Sequence, residues 1–217
     1  MSCQLLRPVH VLVLLMLCYG HAVGQKPDDL LKQRLTVKLE DVPFITVVAT
    51  LSLDHRIPIG LELGTFSYDG VRRNFDATDK TLKEILNLIC QYWPAYTWEV
   101  KDGVVNVVPA VARDTLIEHL LSTKISHFSP HKVTDKFELR NAIVDLPEVK
   151  SFLDANGVSV FRLGNPLRPS DQIGAVDLSV SDTDVKGVLN KIVRETERKF
   201  WTVGRRSLDR NTIYMSL

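Results

Sequence analysis

Cysteine is scarce in this chain, with three among 217 residues. Two of them, Cys3 and Cys18, fall within the first 24 residues, and Cys90 stands alone in the rest. A mature chain that begins after residue 24 therefore has no partner for an intrachain disulfide. An excess of charge is also missing: 27 basic residues face 26 acidic ones, and loss of Arg7 with a leader evens the count. That balance gives no electrostatic reason for nucleic acid or an anionic membrane to be the main partner. The Walker loop, the GxSxG elbow, the GxGxxG turn, the CxxC pair and the HExxH helix are all absent. Carboxylates are plentiful but scattered, so no acid/base pair is placed. The sequence nominates no catalytic residue, no metal ligand set and no cofactor, and is read as non-catalytic.

Long apolar runs are lacking too, apart from one near the start. "VHVLVLLMLCYG" follows a single charge, Arg7, and leads into "HAVGQ", where Ala22 and Gly24 take the small-residue positions of a cleavage site. As a helix, Val9 to Tyr19 would span about 16 Å, well short of the hydrocarbon core. Residues 1–24 are expected to be a cleaved secretory signal, leaving a periplasmic or secreted chain with no transmembrane segment. Leu17 precedes Cys18 where a lipobox needs a small residue, which argues against acylation.

What is present is an internal repeat. "FDATDKTLKEILNLICQYWPAYTWEV" from Phe75 aligns without a gap to "LSVSDTDVKGVLNKIVRETERKFWTV" from Leu178. Leu82, Ile85, Leu86 and Ile89 fall opposite Val185, Val188, Leu189 and Ile192, the three-and-four spacing of one helix face. Tyr96, Trp98 and Val100 then alternate as in a strand, with Trp201 and Val203 opposite the last two. Asp79 and Asp182 precede the two helices and are expected to cap them. Both tryptophans are expected to anchor cores, and Cys90 to be a small buried hydrophobe.

Hairpins close both copies. "WEV", Lys101-Asp102-Gly103 and "VVNVV" make the first, around an Asp-Gly turn. The second has the longer turn "GRRSLDRN" and the closing strand "TIYMSL". Arg205, Arg206 and Arg210 are expected at its tip, where they form the candidate polyanion-binding group. Upstream, strand (Val37 to Leu39), helix (from Pro43) and strand (Ile59 to Leu63) are read in the first copy. "FELRNAIVDLPEVKSFLDANGVSVFRL" is read as strand, helix from Pro147 and strand in the second, with Asn156-Gly157 ending the helix. The predicted fold is α+β: two tandem small modules, each roughly β-α-β-β-α-β-β. Their expected bounds are 35–109 and 135–217, joined by a linker at 110–134.

"VKLEDVPFITVVATL", "RRNFDATDKTLKEIL" and "YTWEVKDGVVNVV" resemble the secretin and TonB short N-terminal (STN) domain family. The resemblance covers Leu35 to Pro109 well and Lys136 to Leu217 less well. It implies a bacterial envelope module that binds other proteins, beside a secretin or a TonB-dependent system. No barrel or secretin channel follows Leu217 in this chain, so the expected action is in trans.

In the linker, Leu116, Ile117, Leu120 and Leu121 make a short amphipathic helix, expected to pack within the chain. His119, His127 and His131 share this segment, but Pro130 keeps the last two off consecutive turns, which argues against zinc. Two functions follow from these readings. One is a protein-interaction adaptor that accepts a partner strand along the closing strands Val104 to Val108 or Thr212 to Leu217. The other is an envelope polymer binder, for peptidoglycan or lipopolysaccharide, acting through Arg205, Arg206 and Arg210 with Arg198 and Lys199 beside them.

Overall fold

A computed structural model describes residues 27–64, 71–111, 113–161, 172–197, 199–206 and 209–217. The expected signal at 1–24 lies outside these residues. Among them, no helix is long and apolar enough to cross a membrane. The fold is mixed α+β.

The N-terminal half opens with a short helix, Pro27–Lys32 (α1), and continues through Arg34–Pro43 (β1), Phe44–Leu53 (α2) and Ile59–Glu62 (β2). Arg72–Thr81 (β3), Leu82–Tyr92 (α3), Tyr96–Lys101 (β4) and Val104–Pro109 (β5) complete it. From β1 onward this is the predicted order. β1 is longer than expected because it pairs antiparallel with β3 along most of its length. Pro43 sits at the N-cap of α2 in extended geometry, one place before the first helical turn. Val47, Val48 and Leu51 are fully buried, as their spacing requires. Asp102 and Gly103 both take positive φ, 54° and 76°, the two-residue turn whose twist suits a hairpin.

The C-terminal half departs from its predicted order. Its helices and strands are Thr115–Ser122 (α4), Lys124–Phe128 (β6), Val133–Asp135 (β7), Lys136–Val144 (α5), Pro147–Ala155 (α6) and Ser159–Val160 (β8). Gln172–Val176 (β9), Val180–Asp184 (β10), Val185–Glu195 (α7), Phe200–Arg206 (β11) and Asp209–Ser216 (β12) follow. The segment read as a strand, "FELRNAIV", is helix α5. Asp135 Oδ1 accepts the amides of Phe137 (2.7 Å) and Glu138 (2.9 Å), and Leu139, Arg140, Ile143 and Val144 are buried at helical spacing. Phe-Glu-Leu-Arg alternates only briefly, and the cap and the longer apolar stripe win. Residues 110–134 also hold more than a linker. Ile117, Leu120 and Leu121 of α4 are buried in the C-terminal core, and β6 pairs with β10 as β1 does with β3.

The helix caps differ from expectation in both halves. Thr81, not Asp79, caps α3 in a reciprocal box with Glu84, and Asp184, not Asp182, caps α7 by accepting the Gly187 amide at 2.7 Å. Asp79 and Asp182 instead hold matching positive φ, 50° and 53°, in β3 and β10. Asp79 pairs with Arg34 at 2.8 Å. That exposed contact holds the Asp79 carboxyl below its ordinary value and raises the Arg34 guanidinium.

One six-stranded sheet joins the halves, in the order β4-β5-β2-β11-β12-β8. At its centre β2 runs parallel to β11, Ile59 opposite Phe200 and Gly60 opposite Trp201. Backbone bonds from Ile59 to Lys199 (2.7 Å) and from Leu63 to Val203 (2.8 Å) extend the pairing. Side chains alternate between faces along a strand. Val105 and Val107 of β5 enter the N-terminal core while Val104 enters the C-terminal one. The two cores thus lie on opposite faces of a shared sheet.

Candidate partner-docking edge

β5 and β12, the strands expected to accept a partner, are interior. β5 lies between β4 and β2, and β12 between β11 and β8. The parallel placement of β2 beside β5 and of β8 beside β12 covers their outer sides. Hairpin logic pairs each closing strand with its neighbour in sequence and is blind to this second, distant partner. The outer strands of the sheet are β4 and the two-residue β8.

β4 is the longer of these. The Ala110 amide bonds to the Ala95 carbonyl at 2.8 Å, and in an antiparallel ladder the same side of the chain returns every second residue. Thr97, Glu99 and Lys101 therefore turn their backbone groups toward β5, and Trp98 and Val100 turn theirs outward. No strand pairs with that outer side among the described residues. The Trp98 side chain lies on the N-terminal core face, half-buried, and its Nε1 donates to Asn87 Oδ1 of α3 at 3.1 Å. Lys83, one turn earlier on α3, is exposed and has no ion-pair partner among the described residues.

The corresponding strand, β11, is covered. Trp201 Nε1 donates to Asn190 Oδ1 of α7 at 2.9 Å, repeating the bond of Trp98 to Asn87, but Trp201 is fully buried. Gly60 of β2 lies against its indole so closely that a Cβ there would collide with the ring. Lys186 of α7, aligned with Lys83, reaches Glu62 of β2 at 2.9 Å and Glu99 of β4 at 3.1 Å. Both Trp98 and Trp201 were expected in cores, and only Trp201 is enclosed. The missed residues were legible in the repeat: Lys83 stands over Lys186 and Asn87 over Asn190 in the ungapped alignment. These polar identities on helices carry more information about the edge than the apolar matches do.

The three arginines belong to the strands of the second hairpin, toward its turn end, Arg205 and Arg206 to β11 and Arg210 to β12. Arg205 Nε lies 2.7 Å from Asp114 Oδ2, a nearly enclosed carboxylate whose other oxygen caps α4 through the amides of Leu116 and Ile117. The side chains of Arg206 and Arg210, and Arg198 altogether, lie outside the described residues. Burial lowers the Lys199 ammonium from its ordinary value, and its Nζ donates to the Arg194 carbonyl at 3.1 Å. The histidines are spread out: His119 is on α4, His127 Nδ1 meets Ser181 Oγ at 3.0 Å, and His131 Nδ1 lies 3.4 Å from Asp177. Cys90 is half-buried rather than enclosed, and burial pushes its thiol pKa up, away from the reactive thiolate.

Beside the start of β4 a cavity of about 250 Å³ is lined by Phe44, Tyr92, Trp93, Tyr96, Val111 and Arg73. Phe44 stacks on Tyr96 at 4.1 Å between ring centroids, which fixes one aromatic wall. Comparison with known proteins finds no matching family model and no matching curated relative.

Proposed function

We propose that this chain is a non-catalytic interaction module of the bacterial envelope, related to the STN domains, that binds a protein partner by taking an extended segment along β4. The observation that carries this reading is the unpaired outer side of β4. Its Trp98 and Val100 backbone groups face outward, and a half-buried indole stands beside them. Unpaired backbone donors and acceptors on a strand edge are a template for another strand, and an aromatic next to them adds apolar contact. A secretin or TonB-dependent system is the partner class that the sequence resemblance supplies.

Val100→Pro tests the reading. It removes the outward amide while leaving the bonds to β5 in place, so crosslinked capture of an envelope protein should be lost. Val100→Ala, with the amide kept, should retain it. Capture that persists in Val100→Pro sinks the strand-addition reading. Capture that vanishes in high salt for the unsubstituted protein points instead to charge-driven polymer binding.

A further inference from the structure

We propose that the segment taken by β4 runs parallel to it and has the pattern apolar–Gly–apolar–acid, with the glycine opposite Trp98 and the acid reaching Lys83. This inference rests on the docking reading above and specifies its partner. The molecule already contains the template, because β11 is the counterpart of β4 in the repeat and β2 lies on it in that manner.

Three features define how β2 sits. Gly60 is opposite Trp201, and no larger residue fits beneath the indole. Glu62 is opposite Val203, on the same face as Gly60, and meets Lys186 in a pair whose side chains are only 9% and 15% exposed. Trp201 is held over the glycine by Asn190. Four of the residues that receive β2 have identical counterparts at the open edge, Trp98 for Trp201, Asn87 for Asn190, Lys83 for Lys186 and Val100 for Val203, while Thr97 and Glu99 stand there in place of Phe200 and Thr202. The Trp98–Asn87 bond is already formed, so the indole is held in its receiving position without a guest. Lys83 is an exposed cation where Lys186 has a carboxylate.

The counterpart stops there. Gly204 leaves room for Leu63 in the β2 seat, whereas β4 has Lys101 at that place. The guest therefore pairs with Thr97 to Val100, a four-residue reach. A second copy cannot offer its own β2, which is enclosed between β5 and β11. The occupant is accordingly a segment of a different protein with Gly and Asp or Glu two residues apart.

The probe is a labelled peptide of the chain's own Ile57 to Leu63, "IPIGLEL", added to the full mature protein. Fluorescence anisotropy reads affinity and hydrogen exchange locates the site. Binding should protect the amides of Trp98 and Val100. A peptide with Gly60→Val should bind at least about 30-fold more weakly, since the added methyls meet the indole. A peptide with Glu62→Lys should lose about 10-fold on the unsubstituted protein and regain it on Lys83→Glu. Protection of β4 with no preference for glycine or acid overturns this inference and leaves the docking reading standing. No protection of β4 by this peptide or by a strand-forming control peptide overturns both. Protection at residues 200–203 instead means that the peptide displaces β2, which also overturns the inference. Self-association in sedimentation that Val100→Pro abolishes would make a second copy the occupant and overturn it likewise.

Discussion

Trp98 and Trp201 hold the same place in the two copies of the repeat, and each indole donates to an asparagine on the helix above it. One ring is half-buried at the rim of the sheet and the other has no exposed surface. The residues themselves do not account for the difference, since Trp, Asn and the neighbouring Lys are identical. What differs is the neighbour: β11 has β2 along its side, and β4 has no strand there among the described residues. The same local structure is thus a core element in one half and an open edge in the other.

The largest expected effect that separates the two halves is on stability. Trp201→Ala should cost roughly 3 to 5 kcal/mol, because it empties an enclosed site between β2 and α7. Trp98→Ala should cost less, about 2 kcal/mol, since its ring is partly exposed at the rim and leaves no enclosed cavity. Urea unfolding of both variants checks this, and equal losses would mean that the edge is covered in solution. Gly60→Ala comes next, at roughly 1 to 3 kcal/mol, as its methyl collides with the Trp201 ring. Gly103→Ala, in the hairpin turn at positive φ, is a control in which strain comes from the backbone alone.

Lys186→Ala should cost roughly 1 to 3 kcal/mol by leaving the nearly enclosed Glu62 without its partner. Lys83→Ala should stay within about 0.5 kcal/mol, as an exposed residue with no such contact. A Lys83→Ala loss as large as that of Lys186→Ala, in the same unfolding assay, would erase the contrast.

A smaller effect concerns pH. Hydrogen bonds from the Thr81 hydroxyl and amide hold the Glu84 carboxyl below its ordinary value of 4.5. A carboxyl whose folded pKa is lowered contributes stability that is present above the unfolded value and lost as pH falls through the folded one. Unfolding midpoints should therefore decline below about pH 4.5, less steeply in Thr81→Ala, which also loses the cap. The cap of α7 uses Asp184 and Gly187 with no glutamate in the box, so Asp184→Ala should leave the Glu84 component of the decline intact. Identical pH profiles for Thr81→Ala and the unsubstituted protein would refute the assignment.

Several elements were readable in advance for local reasons. The stripes of α3 and α7 announce themselves because every apolar side chain on one helix face ends up buried, here Leu82, Ile85, Leu86 and Ile89 and their four counterparts. The Asp102-Gly103 turn needs two residues at positive φ, and that chemistry is visible in the residues themselves. Caps were misplaced by two residues because several polar side chains stand ahead of each helix, and the chain direction at Asp79 and Asp182 decides which one faces the amides. β6 was hidden in a polar stretch, since only Ile125 and Phe128 of its five residues are buried.

The open edge at β4 was the least legible feature. Apolar alternation marks β4, β5 and β12 equally as strands, and their order in the sheet depends on β2 lying next to Phe200–Val203, far away in the chain. Periodicity and turn chemistry act over a few residues, so they were sufficient for α2, α3, α4, α6 and α7, the hairpins and the repeat, but not for α5. Sheet order is settled by which distant strands meet once loops have closed and side chains have packed. For that reason the amino-acid order carries the repeat of helix and strand, and the packed molecule alone assigned one tryptophan to the interior and the other to the rim.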